Sequence, residues 1–133
     1  MGASNIEVEQ FLVAYGDALS AGDGATLAGM YEIPGLVVSD QGSQPVSSPD
    51  QVAEFFAVAA AQYAEAGIAG TRPEYVAIEQ LSEELCTADV RWIGVDADGR
   101  ATAHKEYSMY VLRRGDDGAV RIQVAVIRSP EVP

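Results

Sequence analysis

The chain has 133 residues and a mass of 14.0 kDa, about the size of one domain, which excludes a two-domain enzyme. Hydrophobic residues make up 48% of the sequence and charged residues 21%, the balance of a globular domain with its own core. The net charge of -12 opposes binding to nucleic acid and to anionic membrane surfaces. No apolar run approaches the ~20 residues of a membrane span, and the N-terminus lacks a signal-peptide pattern. We therefore expect one soluble, cytoplasmic domain over residues 1–133.

Sulfur and imidazole ligands are scarce in this sequence. Cys86 is the only cysteine, so no intramolecular disulfide can form, and with the only histidine, His104, it falls short of a zinc-ligand set. This composition favours a reducing compartment and predicts neither a metal site nor a bound cofactor.

Two helices and then a short strand are predicted at the N-terminal end. Residues 4–7 form a capping box, and apolar residues recur at helical spacing until Gly22. A second, short helix is capped by Asp23 and runs to about Tyr31, with its apolar side chains directed inward. Residues 36–39 form a strand that leads into a turn.

A third helix and four strands follow. Ser48, Pro49 and Asp50 supply a cap, a first-turn proline and a first-turn acid, and this helix runs to about Gly67. From Pro73 onward the apolar residues alternate, and turn residues separate the runs, which predicts the hairpins of an antiparallel meander. The predicted strands cover residues 75–81, 85–95, 101–114 and 119–127. Helices followed by such a sheet make a layered α+β domain.

The register of the central hairpin decides which side chains share a face of the sheet. A two-residue loop at Asp98 and Gly99 places Arg91 opposite Glu106. A loop at residues 97–98 would instead set Asp89 opposite Glu106, with like charges ~5 Å apart, so we adopt the first register. In both registers the face toward the helices carries the same side chains from three strands: Leu85, Thr87, Asp89, Arg91 and Ile93; His104, Glu106, Ser108, Tyr110 and Leu112; and Val120, Ile122, Val124 and Val126.

Two short segments resemble the ketosteroid isomerases. Tyr15-Gly16-Asp17-Ala18-Leu19-Ser20-Ala21-Gly22-Asp23 is similar to their Tyr-x-x-Ala-Leu-x-Ala-Gly-Asp segment, and Gly42-Ser43-Gln44-Pro45 falls where they carry Gly-Ser-Glu-Pro. The order of elements resembles the fold shared by nuclear transport factor 2, the ketosteroid isomerases and the SnoaL-like polyketide cyclases. The resemblance implies a cone-shaped, NTF2-like (cystatin-like) α+β fold, in which three N-terminal helices pack on a curved, mainly antiparallel sheet.

The resemblance also implies a catalytic arrangement of a tyrosine, an aspartate base and a second acid. Tyr15 matches the tyrosine that stabilises the oxyanion. The base position falls on Ser39, beside Asp40, and the second acid falls on Ser108. Two of the three positions therefore carry serine, and Tyr15 and Asp40 are the candidate catalytic residues. In the alternative interpretation, Tyr15 is a core residue and Asp40 bonds to the backbone of its own turn.

A polar patch interrupts the predicted inner face of the sheet. Asp89, Arg91, Glu106 and Ser108, with His104 at the edge, form the floor of a pocket in one interpretation, where Arg91 offers its planar guanidinium to a ligand oxygen. In the other interpretation they make a cross-strand ion pair partly open to water, and His104 is an exposed residue near a hairpin tip. Aromatic side chains are expected to complete the pocket: Tyr31, Phe55, Phe56 and Tyr110.

The other face of the predicted sheet is unusually apolar for a monomer. This face predicts a homodimer, formed through Val90, Trp92, Tyr107, Met109 and Val111.

Two functions are consistent with these features. In the first, the protein binds a small hydrophobic or amphipathic, carbonyl-containing molecule and acts as a cofactor-independent isomerase or cyclase. Tyr15 would then polarise the carbonyl, and Asp40 or the Asp89 and Glu106 pair would move a proton. In the second, the protein is a non-catalytic homodimeric association domain with a vestigial pocket.

Overall fold

The computed structural model describes residues 5–128, which form three helices and one six-stranded sheet. The strand order is β2-β1-β6-β5-β4-β3, and neighbours are antiparallel except for β1 with β6. The predicted α+β class, with helices on a mainly antiparallel sheet, is therefore confirmed. The elements are α1 (Asn5–Ala21), α2 (Gly24–Gly29), β1 (Tyr31–Ser39), β2 (Gly42–Val46), α3 (Pro49–Glu65), β3 (Gly70–Gln80), β4 (Leu85–Val95), β5 (Ala101–Arg114) and β6 (Val120–Arg128).

The helices begin at residues that satisfy their free N–H groups. The Asp23 carboxylate accepts the N–H of Thr26 at 3.2 Å at the start of α2. The Ser48 hydroxyl accepts the N–H of Gln51 at 3.2 Å at the start of α3. These interactions are those predicted from the capping patterns. Ser4, part of the capping box predicted for α1, lies outside the described residues.

The segment after α2 differs from its prediction. The helix ends at Gly29, and Tyr31 begins β1 rather than ending α2. The carbonyl of Met30 accepts the N–H of Ile122 at 2.8 Å, so the chain has already joined the sheet at this point. The predicted strand at residues 36–39 is the end of the longer β1. The segment after its turn, Gly42–Val46, is an edge strand paired with β1 and not a loop.

The β4–β5 register differs from the prediction by one residue. The loop has three residues, because the N–H of Asp96 donates to the carbonyl of Arg100 at 2.9 Å and Gly99 adopts φ +78°. The Asp96 carboxylate also accepts the N–H groups of Asp98 and Arg100. A further shift of the register by two residues, between Ile93 and Val95, then places Arg91 opposite Tyr107 and Trp92 opposite Glu106.

A shift of one residue exchanges the two faces of a strand. The side chains of β4 that point toward the helices are therefore Cys86, Ala88, Val90 and Trp92, all buried. The prediction that Leu85, Thr87, Asp89 and Arg91 face inward was wrong. Val90 and Trp92 belong to the core and not to the outer face, which corrects their assignment to a dimer surface.

A bulge in β6 produces a similar exchange. Leu112 pairs with Ile122 but Val111 pairs with Val124, so the register skips Gln123. Val120 and Ile122 pack inward as predicted, whereas Ala125 is buried where Val124 and Val126 were expected. The Gln123 amide donates to the carbonyl of Pro34 at 2.8 Å, which ties the bulge to β1.

The helices pack on one face of the sheet and enclose the core. α1 lies mainly against β3, and α2 lies against α3. A Cβ on Gly16 of α1 would lie 3.1 Å from the Trp92 ring and 3.3 Å from the Thr71 carbonyl oxygen, so glycine permits this close approach. Within residues 5–128, no helix has the length and apolar character needed to cross a membrane.

Candidate functional site

A cavity of about 390 Å³ lies between the helices and the inner face of the sheet, within the usual range for small-molecule sites. Its lining residues come from all three helices and from five of the strands. Seven of them are aromatic, and we call this set the aromatic wall: Tyr15, Tyr31, Phe55, Phe56, Tyr63, Trp92 and Tyr110. Rings therefore dominate the contacts available to a bound molecule.

Tyr15 stands at the centre of this wall. Its ring centroid is 5.8 Å from that of Tyr110, 5.9 Å from Trp92 and 6.2 Å from both Tyr31 and Phe56. Tilted and edge-to-face packing at these separations is favourable for aromatic pairs. The Tyr15 side chain is only 2% exposed, so these neighbours hold the ring in one position.

The phenol groups of the wall make few hydrogen bonds to the protein. The hydroxyl oxygens of Tyr15 and Tyr31 are 2.7 Å apart, and the Trp92 Nε1–H donates to the Tyr110 hydroxyl at 3.0 Å. One hydroxyl of the Tyr15 and Tyr31 pair donates to the other, so the second keeps an O–H with no acceptor among residues 5–128. This leaves a buried proton donor available to a ligand oxygen.

These phenols stay protonated at physiological pH. Burial raises the pKa of Tyr15 well above the usual value for tyrosine, and the nearby Tyr31 and Tyr110 add to the shift. Burial likewise raises the pKa of Tyr31, and it raises the pKa of Tyr110 to about 12. The wall therefore presents neutral donors rather than phenolates.

Glu106 is the only charged residue among those that line the cavity in the described part of the chain. The Tyr63 hydroxyl donates to its Oε2, and His104 Nε2 lies 2.7 Å from the same oxygen. Burial, and next the bond to Glu106, raise the pKa of Tyr63, which keeps this phenol a donor. Oε1 of Glu106 has no hydrogen-bond partner within residues 5–128.

The sequence matches one family over almost its whole length. A model described as NTF2-like protein (DUF6841) covers residues 6–130. The chain belongs to this NTF2-like family. Comparison with curated proteins finds no match.

Solved structures show the fold of this NTF2-like protein. An NTF2-like protein with a cystatin-like fold from Novosphingobium aromaticivorans is similar with a TM-score of 0.75 at 12% identity, covering 96% of this chain and 82% of that one. A protein of unknown function with a cystatin-like fold from Nostoc punctiforme has a TM-score of 0.72 at 14% identity, covering 100% and 98%. A Catenulispora acidiphila protein in complex with S-DNPA has a TM-score of 0.68 at 19% identity, covering 92% and 90%. The resemblance to NTF2-like proteins that the sequence indicated is therefore confirmed.

The structure brings many of the sequence-predicted site residues to one cavity. Tyr15 reaches it from α1, Tyr31 from β1, and Phe55 and Phe56 from α3. Three alternate residues of β5, Glu106, Ser108 and Tyr110, supply the opposite wall. His104 lies beside the cavity, where it contacts Glu106 and the Tyr63 ring but does not line the space.

Three of the predicted site residues lie elsewhere in this NTF2-like protein. Asp40 occupies the exposed turn between β1 and β2 and does not line the cavity. Asp89 and Arg91 lie on the outer face of the sheet because of the register of β4. There the Arg91 guanidinium is 2.8 Å from Glu74, and Asp89 is 3.1 Å from Arg128. The predicted pocket floor built around Arg91 does not exist.

Two residues of the wall were absent from the predicted site. Trp92 was assigned to the wrong face of β4. Tyr63 lies on α3 seven residues after Phe56, and this spacing of about two turns places both on one side of the helix. Its position was readable from the sequence, but its bond to Glu106 was not. Among the described residues, no group of three or more His, Cys, Asp or Glu side chains is arranged to hold a metal ion.

Proposed function

We propose that this protein binds a small, mostly apolar molecule that carries a hydrogen-bond acceptor such as a carbonyl oxygen. The observation that carries the proposal is the unshared O–H of the Tyr15 and Tyr31 pair inside an aromatic cavity of about 390 Å³. A buried donor without a partner costs about 1–3 kcal/mol, so a ligand that accepts its hydrogen bond gains affinity over one that does not. The S-DNPA complex of the Catenulispora protein supports ligand binding by a chain of this fold.

The cavity also supports a proton-transfer reaction of the isomerase or cyclase type. Of the carboxylates considered as bases, Glu106 lines the cavity, whereas Asp40 and Asp89 do not. In this candidate reaction, Glu106 Oε1 removes a proton from the carbon next to the ligand carbonyl, and the electron pair moves to the oxygen. A neutral phenol stabilises that oxygen by hydrogen bonding. Return of the same proton to another carbon completes an isomerisation without a cofactor.

A homodimeric association domain is the second candidate function. The outer face of the sheet favours it, because half-buried apolar side chains of neighbouring strands form a continuous patch there. This outer patch consists of Tyr107, Met109, Val111, Val124 and Val126. Patches of this kind on one side of a sheet are suited to pairing with an identical copy.

A matched pair of probes tests the binding proposal. The ketone 1-tetralone and the hydrocarbon tetralin have almost the same shape, and only the ketone accepts a hydrogen bond. We expect 1-tetralone to raise the melting temperature more than tetralin does, since a ligand at 100 times its Kd adds about 2.7 kcal/mol of stability.

Two alanines of α3 provide the control for location. Ala59 lines the cavity and Ala57 is exposed on the same helix. Ala59→Phe should fill the cavity and remove the thermal shift, whereas Ala57→Phe should preserve it. Equal shifts in the two variants would show that the ketone binds elsewhere, and the proposal would be rejected.

A further inference from the structure

We propose that the preferred occupant of the cavity is an organic cation, a small molecule bearing an ammonium or trimethylammonium group. The inference rests on the proposed ligand-binding function and adds the charge of the ligand. It is carried by the juxtaposition of the aromatic wall with the single carboxylate of Glu106.

The aromatic wall favours a cation over a neutral group of the same shape. The face of an aromatic ring is negative, and a cation within about 6 Å of its centroid is attracted to it, with Trp the strongest partner. The wall contains Trp92 and four tyrosines within one cavity. Removal of water from such a site strengthens each of these attractions.

The charges around the cavity point to the same ligand class. Within residues 5–128, no Lys, Arg or His side chain lines the cavity, and Glu106 is the one charged side chain that does. A carboxylate or phosphate ligand would therefore enter beside a negative charge and lose its water without gaining an ionic partner. An ammonium group would gain the Glu106 carboxylate as its ionic partner. The net charge of -12 also concentrates cations near the protein.

The contacts of Glu106 leave its second oxygen available. Tyr63 and His104 both bind Oε2, and neither occupies Oε1. When a cation is bound, the Glu106 carboxylate pairs with its positive charge and does not act as a base. The proton-transfer reaction proposed above therefore applies to neutral ligands.

The charge of the ligand is tested with a neutral isostere. Choline and 3,3-dimethylbutan-1-ol have the same shape, and only choline carries a charge. Trp92 is the only tryptophan, and it lies in the wall, so its fluorescence reports occupancy directly. We expect choline to bind at least about tenfold more tightly than the alcohol, because the rings and the Glu106 carboxylate attract only the charged ligand.

Two variants separate the local charge from the net charge. Glu106→Gln keeps the shape of the side chain and should weaken choline binding about tenfold while leaving the alcohol unchanged. Glu79→Gln removes the same charge from an exposed position on β3 and should leave both affinities as in the unsubstituted protein.

The inference is overturned if the alcohol binds to the unsubstituted protein as tightly as choline does, or if neither compound binds. It is also overturned if Glu106→Gln, folded by circular dichroism, binds choline as tightly as the unsubstituted protein does. Binding of 1-tetralone without binding of choline would reject the ligand charge alone, whereas failure of every probe would reject the proposed function as well.

Discussion

The hydroxyl oxygens of Tyr15 and Tyr31 lie 2.7 Å apart, one from α1 and the other from the first residue of β1. This bond joins a helix to the sheet across the cavity, and it satisfies only one of the two buried donors. Stability and ligand recognition therefore depend on the same pair of atoms.

Tyr15→Phe should destabilise the fold, and Tyr15→Phe combined with Tyr31→Phe should also remove the selectivity for an acceptor, because the single variant still carries one free O–H. Loss of one hydroxyl leaves the Tyr31 hydroxyl buried without its partner, which costs about 1–2 kcal/mol. The midpoint of urea unfolding measures this cost, and the affinity ratio of 1-tetralone to tetralin measures the selectivity. Tyr75→Phe, at a position 57% exposed on β3, is the control and should change neither quantity. An unchanged ratio in the double variant would separate the phenol pair from ligand recognition.

The buried tyrosines predict a loss of stability in alkali. The pKa values of Tyr15, Tyr31 and Tyr63 are raised by burial, and that of Tyr110 is raised to about 12, whereas an unfolded tyrosine ionises near pH 10. Their contribution to stability is therefore complete below pH ~10 and is lost as the pH rises through the folded-state values.

Each fully buried tyrosine should lower the free energy of unfolding by on the order of 1 kcal/mol per pH unit in this range. Urea unfolding at a series of alkaline pH values, with tyrosinate absorbance recorded in parallel, measures both effects. Tyr110→Phe should reduce the dependence of the unfolding free energy on pH by the contribution of one tyrosine. Ionisation of all six tyrosines near pH 10 in the folded protein would contradict the prediction.

The hairpin between β4 and β5 should depend on its glycine. Gly99 has φ +78°, a conformation that costs an alanine about 1–2 kcal/mol, so Gly99→Ala should lower stability by that amount. Gly29 of α2 has no positive φ, and open space surrounds the position of its Cβ, so Gly29→Ala should raise stability by up to ~1 kcal/mol. Opposite shifts of the urea midpoint are expected, and a Gly99→Ala midpoint that does not fall would refute the loop geometry.

The outer patch should hold two copies of the chain together. Sedimentation at micromolar concentration should give twice the monomer mass of 14.0 kDa. Met109→Glu places a charge within the patch and should yield the monomer, because an unpaired charge in an apolar interface is costly. Val58→Glu introduces the same change at an exposed position of α3 and should leave the dimer intact. A native protein that sediments as a monomer would remove the association proposal.

The sequence predicted those parts of the fold that depend on local chemistry. Asp23 and Ser48 identify helix starts because their side chains bind N–H groups only three residues away. The inner residues of β5 were also predictable, because both registers considered place Glu106, Ser108 and Tyr110 on the same face. The cavity wall formed by β5 therefore followed from alternation alone.

The face of β4 was not predictable, because it depends on whether a loop has two residues or three. An Asp-x-Asp-Gly sequence suits both lengths, and the choice is made by the Asp96 carboxylate, which binds two N–H groups of the longer loop. That difference moved Arg91 out of the predicted site and brought Trp92 into it. The partners of Glu106 come from α3 and β5, far apart in sequence, so no local pattern reveals them.

The irregularity at Gln123 determines the size of the space that a ligand meets. Because Gln123 is an extra residue that has no partner on β5, Ala125 lines the cavity and Val124 lies on the outer face of the sheet. The same residues paired without the bulge would turn Val124 inward instead, and the cavity would shrink by the difference in volume between valine and alanine. The pairing of this strand, and not only its residues, thus determines how much space a ligand has inside an otherwise unchanged scaffold.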